Sequence, residues 1–190
     1  WMTTKNTFKT NLDNIHKKLT EVSDWMYDNP ELGFEEFKTS QYLVEFIESF
    51  DHDVTYPTGK LDTAFEITFG TEGPLTVLCV EYDALPEIGH ACGHNIIATA
   101  SIGAGLAIAN LVEELGIRVK LLGTPAEEGG GGKIILLDNG VFEDAACSMM
   151  IHPAYENVVN PTFTTIQQYK VEFFGKDAHA AGAPEEGINA

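Results

Sequence analysis

The chain has 190 residues, enough for one ordinary domain or for one domain and the start of a second. Apolar residues make up 44%, so a sizeable core can be buried and compositional disorder is excluded. Eleven Lys and Arg against 29 Asp and Glu leave a net charge of −18, a field that repels nucleic acid and anionic membrane and favours cations. No apolar run approaches the ~18–20 residues of a membrane span. Residues 1–5 lack the apolar stretch of a secretory signal. Cys79, Cys92 and Cys147 are an odd number, so a complete disulfide framework is excluded and thiols in a reducing cytoplasm are the simplest reading.

Leu12, Ile15, Leu19, Val22 and Met26 recur at helical steps and predict a helix ending near Asn29-Pro30. A second stripe follows in Phe34, Phe37, Tyr42, Leu43, Phe46, Ile47 and Phe50, with Glu35 and Glu36 read as helix-start charges. Phe65, Ile67 and Phe69 alternate with polar residues, as in a half-buried strand. Leu75–Val80 is nearly all apolar, as in a strand covered on both faces. A small-residue helix is expected over 95–115, a strand over 117–122, a short helix over 133–138 and a third buried strand over 145–151. Cys79 and Cys147 fall inside these apolar runs and read as core. This alternation predicts an α/β fold, a mostly parallel sheet with helices on both faces. After Pro153 the pattern shifts: 162–174 reads as a strand of a different sheet, and the chain beyond His179 as the entry to a helix. A boundary near 155–165 divides a domain over 1–160 from the start of a smaller one over 161–190.

Each apolar strand is followed by metal-competent side chains: Asp83, His90, Cys92 and His94 after the first, Glu127 and Glu128 after the second, His152 after the third. In an open parallel sheet, ligands bind beyond the carboxyl ends of the strands. Thiolate and imidazole suit zinc and its neighbours. Adjacent carboxylates on a loop let one hold a metal while the other moves a proton. Blander readings stand beside these. Cys92 is then a buried thiol near incidental histidines, Glu127-Glu128 a solvated face, the glycines after it a phosphate cradle, His152 a structural residue and Asp83 a turn cap. A thiol enzyme with Cys92 as nucleophile and His94 as base is a further rival.

Five ordered motifs carry a resemblance: Asn29-Pro30-Glu31-Leu32-Gly33, Tyr82-Asp83-Ala84-Leu85-Pro86, Gly89-His90-Ala91-Cys92-Gly93-His94-Asn95, Pro125-Ala126-Glu127-Glu128-Gly129-Gly130 and His179-Ala180-Ala181. Together the chain resembles the aminoacylase-like family of dinuclear metal amidohydrolases and metallopeptidases. Within it, the chain is similar to the branch of p-aminobenzoyl-glutamate hydrolase, indole-acetyl-amino-acid hydrolases and β-alanyl-lysine dipeptidase. The resemblance implies a zinc-exopeptidase-like catalytic domain, with an α+β lid and dimerisation domain beginning at 161. It implies two divalent ions, zinc foremost, with manganese, nickel and cobalt also compatible. Cys92 would bridge them, His94 and His152 would ligate one and Glu128 the other. Glu127 would be the general base and acid, Asp83 would orient a ligand from behind, and His179 would hold the substrate carbonyl oxygen. The implied activity is hydrolysis of N-acyl amino acids or small dipeptide-like amides by a homodimer. Asn95 stands where many relatives have Asp, which points toward the aminobenzoyl-glutamate and dipeptidase sub-branch. The family's remaining histidine ligand lies in a C-terminal segment this chain lacks, so an inactive metal-binding fragment or a non-catalytic binding protein is the alternative.

Overall fold

The computed structural model describes residues 2–159, 161–162, 165 and 169–190. They form two compact units, residues 1–154 and 155–190. In the first, α1 (Met2–Asp28) and α2 (Phe37–Glu48) precede a four-stranded sheet of β1 (Glu66–Phe69), β2 (Leu75–Val80), β3 (Arg118–Gly123) and β4 (Ala145–Met149). Strand order is β1-β3-β2-β4. β2 runs parallel to both β3 and β4, and β1 is antiparallel to β3. α3 (His94–Ile108) and α4 (Val112–Leu115) join β2 to β3, and α5 (Gly132–Asp138) joins β3 to β4.

Helices cover both faces. On one, Leu19, Val22 and Met26 of α1 and Leu43, Val44 and Ile47 of α2 pack with Phe65, Tyr82, Ala98, Ile102 and Leu121. On the other, Leu136 of α5 packs on Leu75, Val77, Cys79 and Leu122. The small residues of α3 let it sit between α1 and the sheet. A Cβ at Gly103 would lie 2.7 Å from Leu19, and one at Gly105 2.6 Å from Leu121. Among the described residues, no helix is long and apolar enough to cross a membrane.

Three expectations need correction. The helix expected over 95–115 stops at Ile108. There the Leu111 N–H turns to Ile108 O, and the freed Ala107 carbonyl accepts from Asn11 Nδ2 at 2.9 Å, so α1 caps the break. The run expected buried over 145–151 is mostly exposed, Cys147 included. β4 is one of the two edge strands of the sheet, and of the 145–151 run Ala145 and Met150 pack against the α5-side core. Glu36 does stand at the start of α2, and it is wholly buried. In the second unit, Tyr169, Val171 and Phe173 are exposed and 169–174 form no strand; the rest of that expected strand lies partly outside the described residues. Its backbone closes through a bridge between Lys176 and Ile188, and the chain beyond His179 makes a turn and a short 3-10 helix, Pro184–Glu186.

Candidate metal centre

The centre begins where β2 runs out. An extended chain alternates its side chains, so Tyr82 turns into the core, stacked on Phe65 at 5.8 Å, while Glu81 and Asp83 turn together toward the start of α3. The helix itself starts at His94, because Gly93 takes a left-handed conformation (φ 79°) and packs where a Cβ would come within 2.9 Å of Pro153. The loop after β3 arrives from the other side. Its Ala126 N–H donates to the buried Glu36 carboxylate at 2.8 Å, and Thr63 Oγ1 donates to the other Glu36 oxygen at 3.0 Å. Glu31, of the first motif, accepts from Thr39 N–H at 2.7 Å and so fixes the start of α2. Its carbonyl accepts from Ala84 N–H at 2.8 Å. That motif therefore braces the residues after β2.

His94 is 1% exposed. Its Nδ1 lies 2.8 Å from the Asp83 carbonyl oxygen and 3.0 Å from Asp83 Oδ1. A carbonyl only accepts, so Nδ1 carries the proton, and in the neutral ring Nε2 is a bare lone pair. That lone pair faces Glu81 Oε2 at 3.4 Å, Glu128 Oε1 at 3.6 Å and Glu127 Oε2 at 3.7 Å. Neither Nε2 nor Glu81 Oε2 has a hydrogen-bond partner among the described residues. Burial pushes the imidazole pKa down, but the Asp83 hydrogen bond and the charges of Asp83 and Glu81 outweigh it and leave it above the ordinary value. Asp83 is likewise pushed up by burial. The hydrogen bonds from His94 and from Glu128 N–H, the latter 2.9 Å, hold it below the usual carboxylate range.

The expected residues divide as follows. Asp83, His94, Glu127 and Glu128 converge. Cys92 joins them: the hydrogen bond to Glu128, then burial, pushes its thiol up to about 11. That shift is opposite to the one an activated nucleophilic thiol needs, so the thiol-enzyme rival loses its footing. His152 is exposed, with its ring centroid 6.4 Å from that of His94 and perpendicular to it. Its Nδ1 donates to Pro153 O at 2.8 Å, which leaves Nε2 free. Burial pushes the pKa of Glu127 up, and Glu81 adds to that. His179, in the second unit, is exposed and accepts from Ala181 and Gly182 N–H at Nδ1.

Sequence reasoning missed Glu81, which is wholly buried, and Lys133, whose Nζ donates to Glu81 Oε1. Its placement two residues before Asp83 at a strand end was the available signal for Glu81. For Lys133 there was none, since only the fold brings α5 to the end of β2.

The donor set fits a divalent cation. Three carboxylate oxygens gathered around one buried imidazole nitrogen repel one another until a positive charge lies among them. Glu81, His94 and Glu127 each offer one ligand atom within 4.8 Å of the others. Thiol, imidazole and carboxylate are the ligands zinc takes.

A family model described as Peptidase family M20/M25/M40 matches residues 77–187. The chain is similar to Xaa-Arg dipeptidase of Mus musculus, 37% identical over 194 residues, 94% of this chain and 45% of the relative. It is also similar to a p-aminobenzoyl-glutamate hydrolase subunit of Escherichia coli K12, 34% identical over 92% of this chain and 40% of the relative. A solved dinuclear metal-binding peptidase of the M20 family from Bacillus subtilis shares the fold. Its TM-score is 0.64 at 24% identity, over 72% of this chain and 42% of that one. The chain spans less than half the length of these curated relatives. With more than half its residues under the family model, and a relative at 37% identity across nearly all of it, the chain belongs to peptidase family M20/M25/M40.

Proposed function

We propose that the protein is a metal-dependent hydrolase that cleaves the amide bond of N-acyl amino acids or small dipeptide-like substrates. The observation that carries this is Nε2 of His94, buried, without a hydrogen-bond partner among the described residues and facing three carboxylates. Names of the relatives support the substrate class: dipeptidase, aminobenzoyl-glutamate hydrolase and N-acetyl-L-cysteine deacetylase are all enzymes of small amides.

In this reading Cys92, His94, Glu128 and His152 hold the ions, zinc foremost. Bound divalent cations would polarise the substrate carbonyl and acidify water. Asp83 holds the His94 proton on Nδ1, which keeps Nε2 directed at the centre. Glu127 takes the proton from the attacking water and returns it to the leaving amine. A carboxyl raised by burial suits both halves of that task better than a fully solvated one. At His179, two backbone N–H groups occupy Nδ1, which puts the proton of the neutral ring on Nε2. That tautomer donates to a carbonyl oxygen, the role proposed for this residue. Residues from 161 onward would begin a lid and dimerisation domain, and the protein would work as a cytoplasmic homodimer.

The test pairs elemental analysis of protein purified without chelator with hydrolysis of a panel of N-acyl amino acids and dipeptides. Bound divalent metal and chelator-sensitive turnover are expected. Chelator-insensitive turnover, or no bound metal, would overturn the reading.

A further inference from the structure

We propose that Glu81 is a further donor to the cation received by His94, and that Lys133 is the positioning residue that leaves it one oxygen to give; the inference rests on the metal reading above. Glu81 stands just past β2 and is wholly buried. A buried carboxylate is tolerated when its oxygens are satisfied. Oε1 is satisfied by Lys133 Nζ. Oε2 has no hydrogen-bond partner among the described residues and lies 3.4 Å from His94 Nε2, itself without one. Two buried polar atoms without hydrogen-bond partners face each other across a gap that a cation beside both would fill.

A proton on Nε2 supplies a single N–H, which is directional and serves one acceptor well. Here the same nitrogen faces carboxylate oxygens at 3.4, 3.6 and 3.7 Å. The 3.4 Å spacing to Glu81 is the one found between two ligand atoms sharing one ion at bonds of about 2.0–2.2 Å. Glu81 is wholly buried, whereas the Glu127 side chain is 41% exposed.

Lys133 gives the arrangement its order. It is the second residue of α5, and α5 starts where the backbone packs too closely for any side chain: a Cβ at Gly132 would meet the Pro125 carbonyl at 1.9 Å. That packing delivers the ammonium to Oε1 and holds Glu81 in one orientation. It also offsets one of the four carboxylates gathered here, Glu81, Asp83, Glu127 and Glu128.

The test is calorimetric titration of the apoprotein with Zn(II) and the visible spectrum of its Co(II) form. Glu81→Gln keeps the side-chain length and an acceptor for Lys133. We expect a metal-free circular dichroism spectrum like the parent's, at least about tenfold weaker Zn(II) binding, and an altered Co(II) band. Affinity within twofold of the parent overturns the proposal. So does weaker binding with an unchanged Co(II) band, because Glu81 would then only stiffen its surroundings. If Glu81→Gln does not fold, Glu81→Asp keeps the charge opposite Lys133 and withdraws the oxygen by one methylene. It should lose affinity likewise, and undiminished binding overturns the proposal. A parent protein that binds no Zn(II), or binds it equally well as His94→Ala, sinks the metal reading and this inference together. Binding that needs His94 and ignores Glu81 sinks this inference alone.

Discussion

Glu36 offers a clean test of how the site is braced, because it touches none of the groups placed around the cation. Its carboxylate is fully buried and accepts from Ala126 N–H and Thr63 Oγ1, tying α2 to the loop that carries Glu127 and Glu128. Truncation in Glu36→Ala orphans both donors, at about 1–3 kcal/mol each. Relief of the buried charge offsets part of that, since burial holds the Glu36 pKa above its ordinary value. The expected net loss is about 2–4 kcal/mol. Glu36→Gln keeps the shape, an acceptor for Ala126 N–H, and an amide that can donate to Thr63 Oγ1 once the hydroxyl turns. Its cost should stay within about 1 kcal/mol at neutral pH. The pH dependence separates the two effects. A carboxyl with a raised folded pKa contributes stability that is fully present below the unfolded value and is lost as pH rises through the folded one. Glu36→Gln should therefore flatten that fall between mildly acidic and neutral pH. Urea unfolding followed by circular dichroism across this range reads both quantities. A Glu36→Ala loss below about 1 kcal/mol, or a Glu36→Gln loss as large as that of Glu36→Ala, would refute the reasoning.

Other consequences are open to direct measurement. Glu127→Gln should leave bound metal unchanged by elemental analysis and lower kcat by about 10²–10⁴-fold; near-normal turnover would remove Glu127 from its proposed role. Gly93→Ala forces a Cβ into a left-handed residue and to 2.9 Å from Pro153. It should lower stability by at least about 1–2 kcal/mol, read as a fall in Tm. Gly105→Ala would set a Cβ 2.6 Å from Leu121. Despite better helix propensity it should destabilise by about 1–3 kcal/mol, whereas a stabilised variant would show that α3 has room to move. Zn(II) binding must displace the Cys92 proton, held at about 11. Affinity should therefore rise with pH, and calorimetry in buffers of different ionisation enthalpy should report proton release.

Much of this arrangement was legible because it is local or periodic. The apolar run of β2, the small residues of α3 and the strand-end positions of Asp83, His94, Glu127 and Glu128 follow from spacing alone. What escaped depends on contacts distant in sequence. Glu36 stands at a helix start, as its position suggests, but its burial comes from the 125–128 loop, 90 residues away. Glu81 sat at the end of an apolar strand and was passed over, because its meaning comes from Lys133 and His94 closing around it. The exposure of β4 shows the converse limit. An apolar run predicts a buried strand, but burial of both faces requires layers packed on them, and of this segment Ala145 and Met150 reach the α5-side core while the rest stays exposed.

The central claim is that a thiolate, an imidazole and carboxylates gathered beyond β2 and β3 hold divalent cations. X-ray absorption at the zinc edge of the loaded protein tests it most directly. The account predicts a sulfur scatterer at about 2.3 Å beside nitrogen and oxygen at about 2.0–2.2 Å, with the sulfur lost in Cys92→Ala. A shell of nitrogen and oxygen alone in the parent protein, or a sulfur signal that survives Cys92→Ala, would contradict it.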